Sequence, residues 1–123
     1  MLMATATAPA YLLQQPEDDY ILAFDDIEIN LDRNTVTRGG KAVRLTQSEQ
    51  ELLMHFLTNA GRELSRDSIL DAVWSYLPSP NTRTVDAHVL RLRQKIEEDP
   101  NNPRYFLTLH RVGYLFNANP VRI

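Results

Sequence analysis

The sequence predicts an α+β domain: a four-stranded antiparallel sheet, then three helices, then a C-terminal β-hairpin. Two observations carry this. Short runs of β-like residues crowd the stretch before residue 45 and alternating apolar residues return after residue 104. Between them the apolar spacing lengthens to that of helices. With 123 residues, 43% of them hydrophobic, the chain suits one domain with one core.

The elements follow in order. "YILAF" (20–24), "IEINL" (27–31), "TVTR" (35–38) and "AVRL" (42–45) are strand-like, separated by Asp25-Asp26, "LDRN" and Gly39-Gly40. Gly39-Gly40 suits a tight hairpin, because both positions tolerate positive φ. At Thr46 the period changes. "TQSE" (46–49) has the capping-box pattern, in which hydroxyl and carboxylate satisfy each other's backbone amides. Leu52, Leu53, Phe56 and Leu57 continue at helical spacing, His55 points outward to solvent, and Gly61 ends the helix. Ser65 opens a second helix with Asp67 in its first turn; Ile69, Leu70, Val73 and Trp74 form its inner face. "SYLPSPN" (75–81) is a loop, because Pro78 and Pro80 forbid continuation. Asn81 or Thr82 caps a third helix that runs to about Glu98, where "DPNNP" stops it. "RYFLTLHRVGYLFNA" (104–118) alternates and folds back near Arg111–Gly113. Two short helices, a loop, a longer basic helix and a hairpin make a winged helix-turn-helix organisation. The predicted domain spans residues 20–119. Residues 1–19 form a flexible tail or interdomain linker remnant, not a signal peptide, and residues 120–123 a C-terminal tail.

Composition excludes several classes. There is no cysteine, so disulfides and thiolate chemistry are absent. The apolar runs are too short to span a membrane, and a cytoplasmic location is expected. His55, His88 and His110 are far apart with no carboxylate at ligand spacing, and there is no phosphate loop or nucleophile elbow. Neither an enzyme nor a metal or cofactor site is expected. The net charge of −3 conceals an asymmetry: residues 81–123 carry seven Lys/Arg against four acids. A local positive field of this kind attracts a polyanion even when the total is negative.

That charge concentrates in "TRTVDAHVLRLRQKIEE" (82–98). At about 100° per residue, Val85, Val89, Leu92 and Ile96 form a narrow core stripe. Thr84, Ala87, His88, Arg91 and Lys95 cluster on another face, flanked by Arg83 and Gln94, and no acid falls among them. Ala87 permits close approach to a base edge, and Arg91 suits a bidentate contact to guanine. Arg83 and Thr84 stand at the helix N-terminus, where phosphates are favoured. Asp86 and Arg93 lie on the other flank and are read as ion pairs with neighbouring elements; Leu90, between the flanks, is read as packing on the preceding loop. The competing reading of the whole helix is a solvated amphipathic one.

With those residues in hand, the chain resembles the DNA-binding effector domain of OmpR/PhoB-type response regulators. "LTQSEQELLMHFLTNAGRELSRDSILDAVW" (45–74), "RTVDAHVLRLRQKIE" (83–97) and "VGYLF" (112–116) carry the resemblance. It implies double-stranded DNA as partner, with helix 82–98 in the major groove and the wing 104–117 near the minor groove. Arg91 then corresponds to the base-reading arginine, and Arg83, Thr84 and His88 to phosphate contacts. Trp74 is a phosphate donor through its indole N–H, a core anchor, or both. Thr108, His110 and Arg111 are the wing's candidate contacts. The loop residues Tyr76, Leu77, Pro78 and Ser79 correspond to a segment that contacts RNA polymerase. Head-to-tail pairing on direct-repeat sites is implied as well.

The chain departs from the family at two places. Leu90 stands where the family often has arginine. In "LHRVGY" (109–114), His110 replaces the wing's arginine or tryptophan, and Arg111 replaces a glycine. Either His110 or the shifted Arg111 supplies the wing's contact, and the turn's shape is open. An alternative function is a protein-interaction module without base readout, which winged helices also provide.

Overall fold

The computed structural model describes residues 19–123. Strands β1 (Ile21–Phe24), β2 (Ile27–Asn30), β3 (Thr35–Arg38) and β4 (Lys41–Val43) form an antiparallel meander. Helices α1 (Gln47–Thr58) and α2 (Arg66–Trp74) follow, with β5 (Glu63–Ser65) between them. Then come α3 (Thr82–Ile96), the hairpin strands β6 (Phe106–Leu109) and β7 (Gly113–Phe116), and β8 (Val121–Arg122). The fold class is the one expected from the sequence, a winged helix-turn-helix with an added N-terminal sheet.

Local chemistry accounts for most boundaries. Gly39 and Gly40 have φ of +56° and +81°, so β3 and β4 close through a tight turn with both central residues left-handed. Thr46 caps α1 in a complete capping box: its hydroxyl accepts from the Glu49 amide at 3.2 Å, and the Glu49 carboxylate accepts from the Thr46 amide at 2.9 Å. Ser65 caps α2 by accepting from Ser68 N–H at 3.1 Å, and Asn81 caps α3 by accepting from Arg83 N–H at 2.9 Å. Helix α1 stops at Thr58 with Asn59 as its cap, so Gly61 turns the chain beyond the helix rather than capping it.

Several expectations need correction. The four strands are joined by a fifth: β8 pairs with β1 in the order β4-β3-β2-β1-β8, so residues 121–122 belong to the domain and not to a tail. The hairpin also gains a third strand, because β5 pairs with β7 in the order β5-β7-β6. Asp19 is buried, and its carboxylate accepts from Asn30 Nδ2 at 2.9 Å and Arg33 Nε at 2.6 Å, so the folded unit includes it. The remainder of the tail expected over residues 1–19 lies outside the described residues. His55, expected to be solvated, is half-buried. Its Nε2 is buried without a protein partner, and burial lowers the imidazole below its ordinary value.

One core unites both sheets and the helices. Leu52, Leu53 and Phe56 of α1, Ile69 and Trp74 of α2, and Val85, Val89, Leu92 and Ile96 of α3 are all buried. Aromatic rings knit the sheets through it: Phe24 meets Phe116 edge-on at 5.2 Å, and Phe106 lies 5.4 Å from both Phe56 and Phe116. The hairpin is therefore anchored in the core at its base, while its turn stands free.

Candidate nucleic-acid interface

Helix α3 is fixed in roll by its buried stripe, which directs Arg83, Leu90, Arg91 and Gln94 to the exposed side. Its first turn holds no acid, so the positive end of the helix dipole is left uncompensated. The one acid on its middle turns, Asp86, is occupied. Arg66 Nε reaches its Oδ1 at 2.9 Å, and the Tyr114 hydroxyl donates to the same oxygen at 2.6 Å. Burial and then that hydrogen bond raise the Tyr114 phenol above its ordinary value. Asp86 thus makes the ion pair with a neighbouring element that its position suggests. Arg93 instead donates to the Phe106 carbonyl at 2.9 and 2.6 Å and to Thr108 Oγ1 at 2.7 Å.

The expected contact residues separate into two groups. Arg83 and Arg91 are exposed on α3, and Thr84 and Ala87 are half-buried beside them. Thr108, His110 and Arg111 line a cleft of about 680 Å³ together with Arg66, Asp67 and Thr82, where the hairpin turn faces the start of α2 and α3. Others are turned inward. Lys95 forms an ion pair with Glu49, a carboxylate only 1% exposed. Burial acts to raise that carboxyl, but the ammonium and the Thr46 amide outweigh it and hold it below its ordinary value. Trp74 is 2% exposed and lies with its ring centroid 4.8 Å from that of His88, which favours the core-anchor reading. The Thr84 carbonyl can only accept, so His88 Nδ1, 2.7 Å away, carries the hydrogen and Nε2 is the ring nitrogen left for an outside partner.

One residue escaped the sequence reading. Arg66 sits immediately after the α2 cap and on the cleft, where its ion pair offsets the charge of Asp86 beside the hairpin turn. Its placement beside a helix start was visible in "LSRD", but its proximity to Arg111 is a tertiary fact. Leu90, read as packing on the preceding loop, is 52% exposed. In the loop, Tyr76 is 68% exposed, Pro78 and Ser79 are exposed, and Leu77 packs against the core.

The hairpin turn resolves the question raised by its missing glycine. Arg111 has φ of +65°, so the chain takes the left-handed conformation with an arginine in place. A side chain there costs about 1 kcal/mol relative to glycine. Arg111→Gly is expected to raise unfolding stability by about 0.5–1 kcal/mol. A urea midpoint that stays level or falls would show that this turn holds its conformation without strain.

A family model described as "Transcriptional regulatory protein, C terminal" matches residues 40–116. The chain belongs to the OmpR/PhoB-type winged helix-turn-helix effector domains. It is 39% identical over 104 residues to the DNA-binding response regulator MtrA of Mycolicibacterium smegmatis, covering 83% of this chain and 46% of that protein. The response regulator DrrB of Thermotoga maritima, an OmpR/PhoB homologue, superposes with a TM-score of 0.72 at 37% identity, over 79% of this chain and 44% of that one. The Klebsiella pneumoniae RstA DNA-binding domain, solved in complex with the RstA box, gives 0.66 at 27% identity, over 79% and 96%. The chain thus spans less than half the length of the curated relatives it matches first. This effector fold is not a catalytic one. Among the described residues no group of three or more His, Asp or Glu side chains could hold a metal, and no helix is long and apolar enough to cross a membrane.

Proposed function

We propose that this OmpR/PhoB-type effector domain binds double-stranded DNA sequence-specifically to regulate transcription. In this reading α3 enters the major groove and the hairpin 104–117 lies near the minor groove. The observation that carries it is the exposed side of α3. It presents Arg83 and Arg91, its only middle-turn acid is already paired, and it adjoins a cleft bearing Arg66, His110 and Arg111. Arg91 reads a base; Arg83 and the α3 N-terminus hold phosphates; Thr84, Ala87 and His88 complete the surface. Thr108 and Lys95 act mainly within the protein, as partners of Arg93 and Glu49. DNA-binding relatives support the reading.

Fluorescence anisotropy on a site selected from random DNA tests it. Affinity should fall steeply with salt, because each phosphate neutralised releases counterions. Arg91→Ala should cost about 1–3 kcal/mol on the selected site and much less on random duplex. Equal losses on both would reduce Arg91 to a phosphate contact. Salt-insensitive or absent binding would favour a protein-interaction module instead.

The partners of the whole regulator belong to the same proposal. Tyr76 stands 68% exposed on the loop between α2 and α3, which suits a contact with RNA polymerase. Head-to-tail pairing of two domains on direct repeats, a receiver domain in the full-length protein and a cytoplasmic location complete it.

A further inference from the structure

Among the described residues, six large apolar side chains are exposed: Tyr20, Tyr76, Leu90, Val112, Val121 and Ile123. Five of them sit in loops, at the terminus or on an edge strand, and Leu90 alone stands on a helix. Its place there is specific. By the helical angle of about 100° per residue, Arg83, Ala87, Leu90 and Gln94 fall within a stripe roughly 60° wide on the side of α3 away from the core. An apolar group thus interrupts the polar surface that carries the cations. About half of the side chain is left in water.

We propose that Leu90 is a specificity-determining residue that packs on the C5-methyl of a thymine in the major groove. This rests on the reading of α3 as the helix that enters that groove. Of the groups that the four base pairs present there, the thymine methyl is the apolar one; the others are hydrogen-bond donors and acceptors. Leu90 has no polar atom to offer a guanine or a phosphate. Facing a guanine edge it would strand two acceptors without a partner, and facing a cytosine it would strand the amino group. Ala87, one turn before it, is small enough to let the helix approach. The same chemistry admits 5-methylcytosine, which carries an equivalent methyl group.

The test uses the chain with its selected site. Each thymine is replaced in turn by uracil, which keeps the pairing edge and lacks the methyl. The wild type should lose roughly three- to tenfold in affinity at one thymine, from the removal of one buried methyl-sized contact. Leu90→Ala should bind the thymine site more weakly by a similar factor and no longer distinguish thymine from uracil at that position. The side chain is exposed, so the variant should keep its thermal midpoint. A wild type indifferent to uracil at every position overturns the assignment, as does a Leu90→Ala variant that still prefers thymine. Loss confined to tandem sites, with single half-sites unaffected, would assign Leu90 to contact with a second copy instead. If no site is selected at all, the groove reading fails and the assignment with it; a site that is selected but insensitive to uracil overturns the Leu90 assignment alone.

Discussion

Gly113→Ala is expected to destabilise the domain by about 3 kcal/mol or more. Gly113 opens β7, where Ser65 of β5 and Leu109 of β6 pair with it from the two sides. Its φ is +149°, and a Cβ built there would lie 2.1 Å from the Leu64 carbonyl oxygen and 3.0 Å from Ser65 Cα. Both obstacles are backbone, so no side chain can swing aside. Either β5 separates from β7 or the base of the hairpin turn moves, and Tyr114, which donates to Asp86, moves with it. For a domain of about 100 residues the loss corresponds to a fall in thermal midpoint of roughly 12 °C or more. Gly61 supplies the control. It also has positive φ, +79°, but nothing lies within 4 Å of its added Cβ. Gly61→Ala should therefore show only the backbone cost, about 1 kcal/mol. Equal losses in the two variants would mean that β5 yields freely and that the close approach contributes nothing.

The contrast between those glycines marks what could be read from the sequence. Features set by neighbours in the chain were legible. The Thr46 capping box, the Ser65 cap, the Gly39-Gly40 turn and the buried stripe of α3 each depend on residues a few positions apart, where period and hydrogen-bonding geometry suffice. Features set by distant partners were not. Lys95 falls on the cationic side of the wheel, yet Glu49, 46 residues upstream, draws it in. The capping box showed Glu49 serving Thr46; that the same carboxylate is buried and also needs a cation is a consequence of packing. Strands β5 and β8 are three and two residues long, too short for alternation to register, and exist because β7 and β1 offer free edges. The helical wheel placed Arg83 and Arg91 on the exposed side of α3, where they stand, but it could not show Arg66 beside the hairpin turn, because no period connects two elements.

The second large effect concerns the join between α3 and the hairpin, and it centres on Glu97. This residue follows the last turn of α3 and is only 2% exposed. Among the described residues no cation forms an ion pair with its side chain. Its carboxylate instead accepts from three consecutive backbone amides: Arg104 at 2.8 Å, Tyr105 at 3.0 Å and Phe106 at 2.9 Å. Its own carbonyl accepts from Arg38 Nη1 at 3.1 Å, which ties β3 to the same point. One turn earlier, Arg93 donates to the Phe106 carbonyl, so Phe106 is held to α3 through both its N–H and its C=O. The base of the hairpin is thus bolted to the helix that carries Arg91. Truncation by Glu97→Ala strands three amides in a buried place. Each costs about 1–3 kcal/mol when unsatisfied, less whatever water enters, so a net loss of about 3–5 kcal/mol is expected. Glu97→Gln separates charge from shape. The amide keeps one acceptor oxygen but turns an N–H₂ toward backbone donors, which should still cost about 2 kcal/mol. Urea unfolding of both variants measures this directly. If the proposed DNA reading holds, Glu97→Gln should also lose affinity at temperatures where it remains folded, because the hairpin no longer keeps its register with α3. A Glu97→Gln variant as stable as the wild type would show that the three amides are satisfied without the carboxylate, and that the bolt lies in Arg93 alone.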